Sequence, residues 1–136
     1  MSDQIKTVDQ FFAAMNRYDV QGMAALLTDD VVAWEVAEAE ACHGRDAFEQ
    51  SYTELFTGYP DCRCEILEKH DAGQDLIYEV RWAATNTGVF KGVAPTGKPV
   101  ELRIAYFFRF DGDRIARITE YYDLATLLVQ QGQLEL

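Results

Sequence analysis

The chain has 136 residues, about half of them hydrophobic, and a formal net charge of −11 from 23 acidic and 12 basic side chains. That length suits one domain with one buried core. The acidity argues against nucleic-acid or anionic-membrane partners, which need a basic face, and no uncharged apolar run approaches a membrane span.

The start, Met-Ser-Asp-Gln, is polar rather than signal-like, and the three cysteines are an odd count. Reduced thiols in a cytoplasm are the expectation. Cys42, Cys62 and Cys64 with His43 and His70 fit no standard zinc spacing, so no metal is expected.

In chain order, residues 4–17 carry Ile5, Val8, Phe11, Phe12 and Met15 at helical spacing. Asp19 is placed to cap a second helix from Val20 to Leu27, which Thr28-Asp29-Asp30 is expected to stop. Val31 to Ala37 is branched and aromatic, a predicted strand. Gly44 opens a third helix with the stripe Phe48, Tyr52, Leu55 and Phe56, ending at Gly58-Tyr-Pro-Asp61.

From Cys62 the pattern turns to strands: one to about Asp71, one from Asp75 to about Thr85, and, after a Gly-rich connection over 86–99, two more over 100–110 and 114–123. Asp123 is placed to cap a short last helix that Gly132 stops. Helices first and a meander after predict a single α+β domain in which a curved antiparallel sheet wraps around the N-terminal helices. A cavity between sheet and helices often accompanies that arrangement.

On strand 100–110 the even positions Leu102, Ile104, Tyr106, Phe108 and Phe110 are the more apolar set, predicted to face inward. On strand 114–123 two registers are open. A three-residue hairpin loop ending at Gly112 pairs even with even and turns Ile118, Glu120 and Tyr122 inward. A two-residue Asp-Gly turn pairs odd with even and brings in Arg117 and Thr119 instead. The first is preferred because it buries Ile118 rather than Arg117.

A carboxylate on an apolar face is costly unless it is paired, moved to the rim or working. If Glu120 is inside, desolvation raises its pKa and suits it to proton transfer, with hydroxyls of Tyr106 and Tyr122 beside it. The competing reading pairs Glu120 with Arg81 or Arg103. Trp34, Trp82, Ile104, Phe11, Met15, Tyr52 and Phe56 are the candidate walls for a hydrophobic small molecule. Alternation over 31–37 puts Val32, Trp34 and Val36 inside and Glu35 outside. Phe107 and Tyr121 form an apolar pair on the outer face, as a dimer interface would.

Several stretches resemble one family: Phe11-Phe-Ala-Ala-Met-Asn-Arg-Tyr-Asp19, Leu27-Thr-Asp-Asp-Val31, Gly44-Arg-Asp-Ala-Phe48, Phe56-Thr-Gly-Tyr-Pro-Asp61, the 87–98 connection, and Phe110-Asp-Gly-Asp-Arg-Ile115 followed by Glu120-Tyr-Tyr-Asp123. The ordered set resembles the SnoaL-like group of the nuclear transport factor 2-like superfamily. The resemblance implies a cone of curved sheet around helices, a deep pocket, a homodimer and chemistry without a cofactor: cyclisation, isomerisation, dehydration or hydrolysis of a polyketide-like or cyclic molecule. The alternative on the same fold is a non-catalytic binding or dimerisation module.

Among relatives of that kind, cyclases and epoxide hydrolases use a carboxylate on the last strand, which Glu120 matches. The epoxide hydrolases are also similar around Arg81, but their second Asp falls on Ala83. The base of the isomerases falls on Glu35, whereas their helix Tyr and protonated Asp fall on Phe11 and Tyr106. A His common in the cyclases falls on Asn86.

Overall fold

A computed structural model describes residues 2–136, with four helices, α1 (Ser2–Asn16), α2 (Val20–Ala24), α3 (Arg45–Gly58) and α4 (Leu124–Gln130), against one six-stranded sheet. Its strands are β1 (Leu27–Glu35), β2 (Cys42–His43), β3 (Arg63–Asp71), β4 (Asp75–Thr85), β5 (Pro99–Asp111) and β6 (Arg114–Tyr121), in the order β2-β1-β6-β5-β4-β3. The expected α+β architecture is present. Neighbours pair antiparallel except β1 and β6, which run parallel. No helix among the described residues is long and apolar enough to cross a membrane.

The apolar stripe of α1 does what its spacing predicts. Val8, Phe11, Phe12 and Met15 are all buried. Phe12 meets Tyr106 edge-on at 5.1 Å between centroids, and Phe11 meets Phe108 at 5.5 Å. Such pairs add to the burial of the rings. Asn16 closes the helix onto β3: its amide donates to the Cys64 carbonyl at 2.9 Å and its carbonyl accepts from the Cys64 N–H at 2.8 Å.

Asp19 caps α2 as predicted, accepting from the Gly22 N–H at 2.9 Å. The helix stops at Ala24, earlier than expected, and Leu27 already belongs to β1. Thr28, Asp29 and Asp30 are therefore strand residues, tied by Arg45, which pairs with Asp29 at 2.7 Å. The register of β1 against β6 slips between Leu27 and Val32. β2 was not foreseen; its two residues lie on the edge opposite Val32 and Ala33.

In β4, Leu76, Tyr78, Val80, Trp82 and Ala84 point into the core, and in β5 so do Val100, Leu102, Ile104, Tyr106 and Phe108. This is the strict alternation of a sheet with one covered face. The β5–β6 hairpin reconciles the two registers considered above. Its loop is the short one, since Asp111 pairs with Arg114, but the register then shifts between Arg109 and Phe110. Phe110 opposes Ile115 and Arg109 opposes Arg117, so Ala116 is the extra residue of a bulge. Beyond it even pairs with even, Phe108 with Ile118 and Tyr106 with Glu120. Both Ile115 and Ile118 are thereby buried.

Candidate active site

Between the inner face of the sheet and α3 lies a cavity of about 390 Å³. Glu120 stands on its inner wall. The antiparallel neighbour opposite it is Tyr106, and the parallel neighbour on its other side is Glu35. The parallel register, Ala33 with Ile118 and Glu35 with Glu120, places Ala33 and Glu35 on the cavity side. This corrects the expected facing of β1. Val31 is fully buried, Val32 is only half-buried, and Trp34 is 39 % exposed at the rim. The stretch 31–36 is apolar on both faces, so alternation within it had no unique phase; pairing with β6 supplied it.

Glu120 keeps a little surface open to the cavity and is otherwise enclosed. Burial is the main force that raises its carboxyl, to about 8; the negative charge of Glu35 adds to the rise, and the Tyr106 hydroxyl opposes it by donating to the ionised form. Tyr106 also reaches the Tyr52 hydroxyl, and burial first, then the Glu120 charge, holds both phenols far above their ordinary range. Tyr122 donates to Glu35 at 2.7 Å. Its phenol too is raised, by burial and then by this bond to a carboxylate. The site is thus two carboxyls side by side, Glu35 bonded by the Tyr122 hydroxyl and Glu120 standing opposite Tyr106.

Of the sequence-predicted residues, Glu120, Tyr106, Glu35, Trp34, Tyr52, Trp82, Ile104 and Tyr122 come together around this cavity. Five do not. Phe11 is core, under Phe48 and Phe108, and Met15 is core against Cys64. Phe56 packs edge-on against Tyr18 at 5.4 Å, because the stripe of α3 turns away from the cavity at its last turn. Arg81 lies on the outer face, where it pairs with Glu65 at 2.7 Å, since Val80 and Trp82 occupy the inner phase of β4. Asn86 is a loop anchor: only 3 % exposed, it donates to the Gly58 and Gly88 carbonyls and accepts from the Thr96 N–H.

The ion pairs considered for Glu120 go elsewhere. Arg81 pairs with Glu65 and Arg103 with Glu79, and no ion pair to Glu120 or Glu35 occurs among the described residues. No group of three His, Cys, Asp or Glu side chains among them is arranged to hold a metal ion.

Sequence reasoning missed Tyr59, Phe90, Lys91, Glu38 and Cys42 in the lining. Phe90 was the most findable, an aromatic residue in a Gly-rich connection. Asn86 holds that connection against α3, and Gly88 passes so close that a Cβ there would lie 1.8 Å from the Thr57 carbonyl oxygen. Phe90 and Lys91 are thereby delivered to the rim, where Lys91 pairs with Glu38. Tyr59 follows α3 directly, and its hydroxyl accepts from the buried Gln131 amide behind α4.

The SnoaL-like polyketide cyclase model matches residues 6–131. The chain belongs to this family. No curated protein matches it in sequence. Solved structures that share the fold include a candidate SnoaL-like polyketide cyclase from Jannaschia sp. CCS1, with TM-score 0.89 and 16 % identity over 98 % of this chain and 94 % of that one. AclR, a candidate hydroxylase from Streptomyces galilaeus, gives 0.85 and 21 % over 100 % of this chain and 89 % of that one. IdmH, a candidate polyketide cyclase from Streptomyces antibioticus, gives 0.79 and 20 % over 95 % and 98 %. For this SnoaL-like chain, such identities establish the fold, while its chemistry has to be argued from Glu35, Glu120 and their tyrosines.

Proposed function

We propose that this SnoaL-like protein is a cofactor-independent enzyme. It performs acid/base chemistry, of the cyclisation or isomerisation type, on a hydrophobic polyketide-like or cyclic molecule. The observation that carries this reading is the in-register juxtaposition of Glu35 and Glu120 on the wall of an aromatic cavity, with no cation among the described residues paired to either. Burial lifts the Glu120 carboxyl to about 8, and a carboxyl poised there can give and take a proton at working pH.

In the proposed cycle, the Glu35 carboxylate removes the proton alpha to a substrate carbonyl while Glu120, protonated at neutral pH, donates to the carbonyl oxygen. The enol carbon then bonds to a second carbonyl carbon of the same molecule, whose oxygen takes the proton from Glu35, or Glu35 delivers that proton to a different, conjugated carbon. The enol O–H proton returns to Glu120 as the first carbonyl reforms, so both carboxyls end as they began. Tyr106 and Tyr52 hold Glu120 oriented, and Tyr122 does the same for Glu35. Positioned acid/base groups are worth roughly 10² to 10⁴ in rate. A homodimer is the assembly favoured by the outer face, where Tyr121, 49 % exposed, meets Phe107 edge-on at 5.6 Å. Sedimentation at micromolar concentration tests it, and a monomer there overturns it.

The activity is tested with 2-tetralone, a bicyclic ketone, by following exchange of its alpha protons in D₂O by NMR. Catalysed exchange is expected, with Glu120→Gln slowing it by about 100-fold while ketone affinity is kept. Exchange no faster than in buffer, or a Gln variant as fast as the parent, sinks the acid/base reading. Ketone binding without exchange would support a non-catalytic binding module.

A further inference from the structure

The corner of the cavity away from Tyr106 is built from three rings set at steep angles. Tyr59 meets Trp82 at 5.1 Å and 72°, and meets Phe90 at 5.5 Å and 65°. All three line the cavity. Their elements differ, with Tyr59 ending α3, Trp82 on β4 and Phe90 on the 86–98 connection, so the corner is a product of the tertiary fold. Glu35, held by Tyr122, lines the same cavity as the three rings.

Inclined rings with a carboxylate alongside are the surroundings that an organic cation prefers, because ring faces are electron-rich and the carboxylate balances the charge. The protein already sets one of its own cations on this corner: the Lys91 ammonium lies 5.3 Å from the Phe90 centroid and pairs with Glu38. The charged lining is otherwise acidic, with Glu38, Glu40 and Glu54 on the rim and Glu35 and Glu120 deeper. The rim acids follow the acidity of the whole chain. The corner and Glu35 are particular to the cavity.

We propose that the cavity takes a hydrophobic ligand bearing an amine cation, protonated or quaternary. Its ammonium lodges among Tyr59, Trp82 and Phe90 with Glu35 as counter-ion, and its apolar body lies toward Ile104 and Tyr106. This rests on the reading of the cavity as a ligand site and adds a substrate class to it. An anionic ligand is disfavoured in the same place, since it would bring a like charge into a partly desolvated cavity whose charged lining is mostly acidic.

The probes are benzyltrimethylammonium and its uncharged carbon isostere neopentylbenzene, titrated against the parent, Glu35→Gln and Phe90→Leu proteins, with affinity read from NMR shifts of cavity methyls. The Gln variant still accepts from Tyr122, so it removes the charge and keeps the hydrogen bond; its melting temperature checks that it folds. The cation is expected to bind about tenfold tighter than the isostere. Glu35→Gln should abolish that preference, and Phe90→Leu should weaken the cation more than the isostere. Equal or tighter binding of neopentylbenzene, or a preference that survives Glu35→Gln, overturns the amine proposal and leaves the cavity as a ligand site. A preference that survives Phe90→Leu unchanged overturns it too, because the cation would then be held by bulk charge. Failure of both probes to shift any cavity methyl overturns this proposal and the ligand-site reading together.

Discussion

Glu35 and Glu120 lie side by side in register across the β1–β6 pair, the one parallel junction among the described strands. An antiparallel neighbour in place of β1 would run the other way and pair Glu120 with a residue from elsewhere in the chain. The two carboxyls therefore depend on a topology that brings the first strand alongside the last.

The charge of Glu35 helps to raise Glu120, so Glu35→Gln should lower the Glu120 titration from near 8. A fall of about one pKa unit is expected for removal of a like charge at this range. Carboxyl ¹³C shifts of the parent and variant measure it. An unchanged midpoint would show that burial alone sets the value.

A carboxyl raised on folding binds its proton more tightly in the native state than in the unfolded chain. Stability should therefore fall as pH rises from the ordinary carboxyl value of 4.5 toward 8, and level off above it. Glu120→Gln removes this dependence, and its advantage at pH 9 over the parent should be on the order of 2 kcal/mol, well below full linkage because the cavity admits water. Urea unfolding at pH 6 and pH 9 tests it. A parent whose stability relative to the variant is the same at both pH values contradicts it.

The bulge at Ala116 sets the phase of everything after it in β6. Deleting Ala116 should turn Ile118 and Glu120 toward the outer face, with a loss of about 3 kcal/mol or more for the buried isoleucine. Urea denaturation and the loss of the high Glu120 titration are the readouts. A variant as stable as the parent would mean that the hairpin absorbs the deletion in its turn.

Asn86 holds the 87–97 connection through three partners on the main chain. Asn86→Ala leaves those groups unpaired, which should lower stability by about 1–3 kcal/mol. Hydrogen exchange of residues 87–97 should quicken while β4 and β5 stay protected. Unchanged exchange in that segment would refute the anchoring role.

Much of this molecule is legible from side-chain period. The stripe of α1, the strict alternation of β4 and β5, the Asp19 and Asp123 caps and the inward facing of Glu120 all follow from neighbours close in sequence, where polar and apolar residues differ clearly. Phe11 and Met15 illustrate the limit of the same signal: periodicity puts both inside, and the core and the cavity are inside alike. Arg81 shows it again, since its facing rested on which phase of β4 was buried.

Glu35 belongs to the other category. Within Val31-Val32-Ala33-Trp34-Glu35-Val36 either phase buries hydrophobic side chains, so the local preference was nearly balanced and favoured the wrong one. Hydrogen bonding to β6 decided the phase, because a strand pairs in register along its length and a shift of one residue turns every side chain over. The sequence alone determined that this chain forms helices packed on a sheet with an acid on its apolar side. Only the tertiary structure decided that a second acid stands next to it, because that proximity comes from pairing between strands more than eighty residues apart, which no local pattern encodes.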